Sequence, residues 1–208
     1  MTASPNLTSA ALAPAFADAV HDAQSCFRVL MQAMARPGTL QAFDAAALVP
    51  EAPLPAALAA AALTLCDFDT PIWLDATLAA NPAVAGWLRF HTGAPITSDP
   101  AEAAFAFVAR PESLPALAGY AQGTLEYPDR STMLILAVEN GSPAPQVRLS
   151  GPGVQSSTDF AAAPLPPRFW PQMMENHRRF PRGVDVIFAA PAGFAAVPRS
   201  TDLTILEA

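Results

Sequence analysis

Apolar residues recur along this chain with two periods, one helical and one extended. Between Asp22 and Leu40, the residues Phe27, Leu30, Met31 and Met34 fall at i, i+3, i+4 and i+7. That spacing predicts one apolar stripe on a helix packed against a core. Asp22 is expected to cap its start, and Pro37-Gly38 to stop it abruptly with Arg36 at the exit. A second helix is predicted on Leu54, Leu58, Ala61, Ala62 and Leu65; it carries no charge, which predicts burial on more than one face. Asn81-Pro82 supplies a cap followed by proline at the first helical position, with Val84, Trp87 and Leu88 as the inner stripe and an end at His91-Thr92-Gly93. Phe169, Met173, His177 and Phe180 predict a fourth amphipathic helix, with Glu175 and Arg179 paired on its outer face.

The extended period marks the strands. Thr132–Val138 is apolar on both faces, as a central strand covered by helices must be. Phe105–Ala109 and Val184–Ala190 read the same way, and short strands are expected at Thr39–Phe43, Ile72–Asp75, Val147–Leu149, Phe194–Val197 and Leu203–Leu206. Asp67–Thr70 is a turn, Pro111–Gly119 holds one helical turn, and Thr124–Arg130 is a polar connection. Alternation of helices with buried strands predicts an α/β fold: a single layered domain over 16–208, with a mixed sheet flanked by helices, after a frayed segment at 1–15.

Composition narrows the chemistry. At 208 residues, 52% hydrophobic and 14% charged, the chain is long enough and apolar enough for one sizeable core. Its net charge of −7 lacks the basic footprint of a nucleic-acid binder. All 11 basic residues are arginine, which excludes a pyridoxal-phosphate Schiff base, a P-loop lysine and a Ser-Lys dyad. Cys26 and Cys66 form no CxxC and read as buried small hydrophobes of a reducing compartment, so the chain is expected in the cytoplasm. No signal peptide is expected, and no apolar run approaches the roughly 18 residues of a membrane span.

Few residues carry candidate chemistry. Asp67 and Asp69 form a D-x-D pair that either places Mg²⁺ on a diphosphate or caps a turn. His21, His91 and His177 lie on different elements with no ligand spacing; His91 at a helix end either answers the dipole or lines a pocket. Arg36, Arg130 and Arg182 each stand at an element end, where a guanidinium can meet an anion. Gly151-Pro152-Gly153 reads as a turn, because proline removes an N–H that a phosphate loop needs.

Seven segments in order complete the reading: FRVLMQAMARPGTL (27–40), ALTLCDFDTPIWL (62–74), FHTGAP (90–95), GTLEYPDRSTMLIL (123–136), LSGPGV (149–154), FPRGVDVIF (180–188) and VPRSTDL (197–203). Together they resemble the PhnH family, a subunit of the bacterial carbon–phosphorus lyase system for phosphonate use. The resemblance spans about residues 16–206. It implies a fold like the large domain of pyridoxal-phosphate-dependent transferases without the cofactor, a homodimer in isolation, and a complex with the PhnG, PhnI, PhnJ and PhnL subunits. It implies support for transfer of an alkylphosphonate to ribose C1 of ATP with release of adenine; the sparse polar chemistry and net negative charge of the chain lead to the expectation of an accessory, non-catalytic subunit. It carries no catalytic residue onto this sequence. Two other roles stay open: a Mg-nucleotide-dependent transferase subunit using Asp67 and Asp69 with Arg36, Arg130 or Arg182, and a vestigial cofactor cleft that binds a nucleotide or phosphonate.

Overall fold

The computed structural model describes residues 14–140 and 144–206; the frayed segment expected at 1–15 lies almost wholly outside them. Seven strands form one sheet: β1 (Gln41–Ala42), β2 (Ile72–Leu74), β3 (Ile96–Thr97), β4 (Phe105–Val108), β5 (Met133–Ala137), β8 (Asp185–Ala190) and β9 (Gly193–Val197). Their order is β1-β9-β8-β5-β4-β2-β3. From β3 to β8 neighbouring strands run parallel; β9 and β1 are antiparallel additions, so the sheet is mixed as expected. A second sheet, β10-β6-β7, joins β6 (Val147–Ser150), β7 (Thr158–Phe160) and β10 (Asp202–Ile205) antiparallel.

Period-two alternation sends successive residues of the large sheet into two cores. Phe107, Ile135, Ile187 and Phe194 face the helices α1 (Ala19–Ala35), α2 (Ala56–Leu65) and α4 (Pro82–Thr92). The one-turn helix α3 (Ala76–Ala79) packs beside α4. Val108, Leu134, Leu136, Val186 and Phe188 face the small sheet and α5 (Phe169–Arg178). Both faces are therefore covered, which is why β5, and β8 after its opening Asp185, are apolar.

The uncharged α2 is buried from Ala57 to Ala62, as its composition predicts. Its methyl side chains let α1 and α4 approach closely. In α4, Asn81 accepts from the Ala83 amide at 3.0 Å and Gly93 ends the helix at φ 76°.

Three expectations are corrected. Asp18, not Asp22, caps α1, accepting from the amides of Val20 (3.1 Å) and His21 (2.9 Å). Asp22 instead accepts from the Asp18 amide at 3.0 Å and closes the cap from inside the first turn. The buried stripe of α1 is Cys26, Leu30 and Ala33, while Phe27 is 47% and Met31 53% exposed. Small residues face α2 because the alanine helix leaves no room for phenylalanine. On α5 the inner face is Phe169, Trp170, Met173 and Asn176; Phe180 lies beyond the helix and is exposed.

Candidate functional site

The strands from β3 to β8 run parallel, so the segments that precede them emerge at one edge of the sheet. The turn Asp67–Thr70 precedes β2, His91 precedes β3, Arg130 precedes β5 and Arg182 precedes β8. The end of α1 reaches the same edge, where the Gly38 amide donates to the Ala196 carbonyl at 3.0 Å. There a cleft of about 520 Å³ opens between Ala35, Asp129, Gly153, Pro181, Asp185 and Arg199. Gly153 is required by closeness: at φ +79°, a Cβ there would stand 2.3 Å from the Ala35 carbonyl oxygen.

Arg199 ties this edge together. Its Nε donates to Asp185 Oδ1 at 3.1 Å, and its Nη2 to Asp185 Oδ2 and to Ser131 Oγ. Its Nη1 donates to the Pro128 carbonyl at 2.6 Å. The Arg199 amide also donates to Asp185 Oδ1 at 2.8 Å, and its carbonyl accepts from His177 Nδ1 at 3.0 Å. Both side chains of the pair are only 13% exposed. One guanidinium thus spans the starts of β5 and β8, the loop before β5 and the exit of β9. A fork of donors in fixed geometry can do this; a lysine cannot.

The residues singled out from sequence are distributed around this knot. Ala35, Asp129 and Pro181 line the cleft, but their neighbours Arg36, Arg130 and Arg182 do not, and all three side chains are exposed. Arg130 lies over the Tyr127 ring, 4.2 Å from its centroid. His91 is elsewhere on the edge, its ring 4.7 Å from Trp87 and 4.9 Å from Phe90. Asp67 Oδ1 accepts from the Asp69 amide at 2.9 Å and from Thr70 Oγ1 at 3.1 Å, so this carboxylate closes the turn. Burial, and then the neighbouring Asp67, push the Cys66 thiol up to about 12. Among the described residues, no group of three or more His, Cys, Asp or Glu is arranged to hold a metal ion. None of the described helices is long and apolar enough to cross a membrane.

A family model described as "Bacterial phosphonate metabolism protein (PhnH)" matches residues 14–204. The chain belongs to the PhnH family. It is similar to the Rhizobium meliloti (strain 1021) protein named alpha-D-ribose 1-methylphosphonate 5-triphosphate synthase subunit PhnH, with 42% identity over 91% of this chain and 94% of that one. It is also similar to the putative C-P lyase subunit protein HtxG of Stutzerimonas stutzeri, with 31% identity over 40% of this chain and 43% of that one.

Five of the seven segments that carry the PhnH resemblance meet at this cleft; 62–74 and 90–95 do not line it. The ends of 27–40 and 149–154, and the starts of 180–188 and 197–203, all border the cleft or its knot. The segment 123–136 adds Pro128, Asp129 and Ser131. In the sequence Arg199 lies inside VPRSTDL, where no local spacing marks it as paired with Asp185. The available signal was Asp185, a carboxylate opening an otherwise apolar strand, which requires a cation.

Proposed function

We propose that this PhnH-family chain is an accessory, non-catalytic subunit of the complex that transfers an alkylphosphonate to ribose C1 of ATP with release of adenine. The observation that carries this reading is the 42% identity, across 91% of the chain, to a protein named as a synthase subunit. The use of polar groups at the candidate edge supports it. Asp185, His177 and Ser131 all bond to Arg199 and hold backbone in place, as structural groups do.

PhnG, PhnI, PhnJ and PhnL are the partners in this reading, the chain is a homodimer in isolation, and the complex works in the cytoplasm. The fold reading is that of a pyridoxal-phosphate-dependent transferase's large domain acting without the cofactor; the mixed seven-stranded sheet supports it, and so does a sequence without lysine. The test is reconstitution, with adenine release from ATP plus methylphosphonate followed by chromatography. The purified chain alone is expected to release none, and omission of the chain from the complex is expected to stop release. Turnover by the lone chain would overturn the accessory reading.

The transferase alternative places Mg²⁺-ATP at Asp67 and Asp69. Asp67→Asn separates the two readings: it leaves complex activity intact under the accessory reading and abolishes it, with assembly preserved, under the alternative.

A further inference from the structure

Helix α1 carries more apolar surface than the core uses. Val20, Phe27, Met31 and Met34 fall within an arc of about 60° on the helix, about 100° round from the buried Cys26, Leu30 and Ala33. Val20, Phe27 and Met31 are exposed, and Met34 lines the cleft at the end of the helix. Beyond Met34 the cleft wall is Phe180, 58% exposed, with Pro128, Pro152, Pro181 and Pro198. The helix stripe and the cleft thus form one continuous apolar surface. Single exposed apolar residues are ordinary, whereas a contiguous run of them marks an interaction site.

Two features say what kind of occupant this surface takes. The four prolines have a fixed φ and no N–H, so the wall is stiff and offers no backbone donors at those positions; an occupant is held by its side chains rather than as an added strand. The second feature is charge. Among the residues that line the cleft and those next to them in sequence stand five arginines and two aspartates: Arg36, Arg130, Arg179, Arg182 and Arg199 against Asp129 and Asp185. Arg199 is taken by Asp185, and Arg179 lies 3.8 Å from Glu175. Arg36, Arg130 and Arg182 are exposed, and among the described residues none of the three has an ion pair. Arg130 lies over the exposed Tyr127, and Tyr and Arg are residue types that anchor interfaces. The rim is therefore net cationic on a chain of net charge −7. A second copy set against this face about a twofold axis would oppose arginine to arginine, so the charge favours a different chain with carboxylates to offer.

We propose that this surface docks a partner chain through a segment whose apolar side chains enter the cleft and whose carboxylates meet Arg36, Arg130 and Arg182. The proposal rests on the accessory-subunit reading for its partner, another subunit of the same complex, and adds the surface and the chemistry of the contact. Photocrosslinking in the reconstituted complex tests it, with p-benzoylphenylalanine replacing Phe27 or Phe180 and the crosslinked peptides read by mass spectrometry. Both positions are expected to attach to the same partner subunit, within a peptide carrying more Asp and Glu than Lys and Arg. Binding kinetics on the remaining subunits, purified together and immobilised, are the second measurement. Phe180→Ser is expected to speed dissociation by about tenfold or more, and Arg36→Glu combined with Arg182→Glu to slow association by about tenfold or more and flatten its dependence on salt. Melting stays that of the wild type in these variants, because the substituted side chains are exposed. Crosslinks to a second copy of this chain overturn the proposal, as do crosslinks to a peptide without an acidic excess, no crosslink in a complex that contains the chain, or rates unchanged in the variants. Each of those outcomes leaves the accessory reading standing, whereas a chain that joins no complex removes both.

Discussion

Removing the Arg199 side chain should destabilise the fold more than any other single change at the candidate edge. In Arg199→Ala the Asp185 carboxylate keeps the amide of residue 199 as a donor and loses both guanidinium bonds. Ser131 Oγ and the Pro128 carbonyl lose their partner as well. Breaking a buried pair from one side costs about 3–5 kcal/mol. Here both side chains are 13% exposed, and water can reach the abandoned carboxylate, so the lower end applies: about 3 kcal/mol. For a chain of 208 residues, each 1 kcal/mol moves the melting temperature by roughly 2–4 °C, so a fall of roughly 6–12 °C is expected. Differential scanning calorimetry reads the shift, and urea titration at 25 °C gives the free energy directly. Asp185→Asn should cost less, since an amide oxygen still accepts from Arg199. The double variant should be more stable than the sum of the singles, because removing both partners leaves no stranded charge. A loss below about 0.5 kcal/mol in Arg199→Ala, the level of an ordinary surface change, would refute the argument that this pair fastens the edge.

Three further outcomes follow from the packing. Leu30→Ala should cost about 2–5 kcal/mol by opening a cavity against α2, whereas Phe27→Ser should stay within about 0.5 kcal/mol; chemical denaturation of the two variants checks the corrected stripe. Gly153→Ala should cost roughly 1–3 kcal/mol or more, because the new methyl meets the Ala35 carbonyl at 2.3 Å, and the same titration reads it. Burial, which raises the Cys26 thiol to about 11 and Cys66 to about 12, should leave both unalkylated by iodoacetamide at pH 8 in the folded protein, with full alkylation in urea, as read by intact mass.

The helices and central strands were legible where a single physical cause acts along consecutive residues. The α4 boundaries follow from Asn81-Pro82 and Gly93, because capping is local. The burial of α2 follows from its lack of charge, because nothing in it prefers water. The buried α1 stripe sits one position from the one its large side chains predict, because size does not decide burial here: Cys26 and Ala33 face inward since α2 demands close approach, and Phe27 is turned out. Strand β7 escaped notice because Thr158-Asp159-Phe160 has no apolar run; its pairing shows only in Arg148 and Asp159, joined across the strands at 2.7 Å. The exposed arginines at element ends were legible as positions, but the arginine that organises the edge was not. Its partners lie 14, 68 and 71 residues away, and such contacts leave no mark in local spacing.

Those separations also fix the order in which the molecule can be made. Loops of 68 and 71 residues must close for the Arg199 bonds to form, so these bonds belong to the high-contact-order part of the structure. During synthesis the clasp is missing until residue 199 has left the ribosome. No nascent chain short of that point presents the assembled edge, so whatever recognises this edge recognises a chain already folded through residue 199.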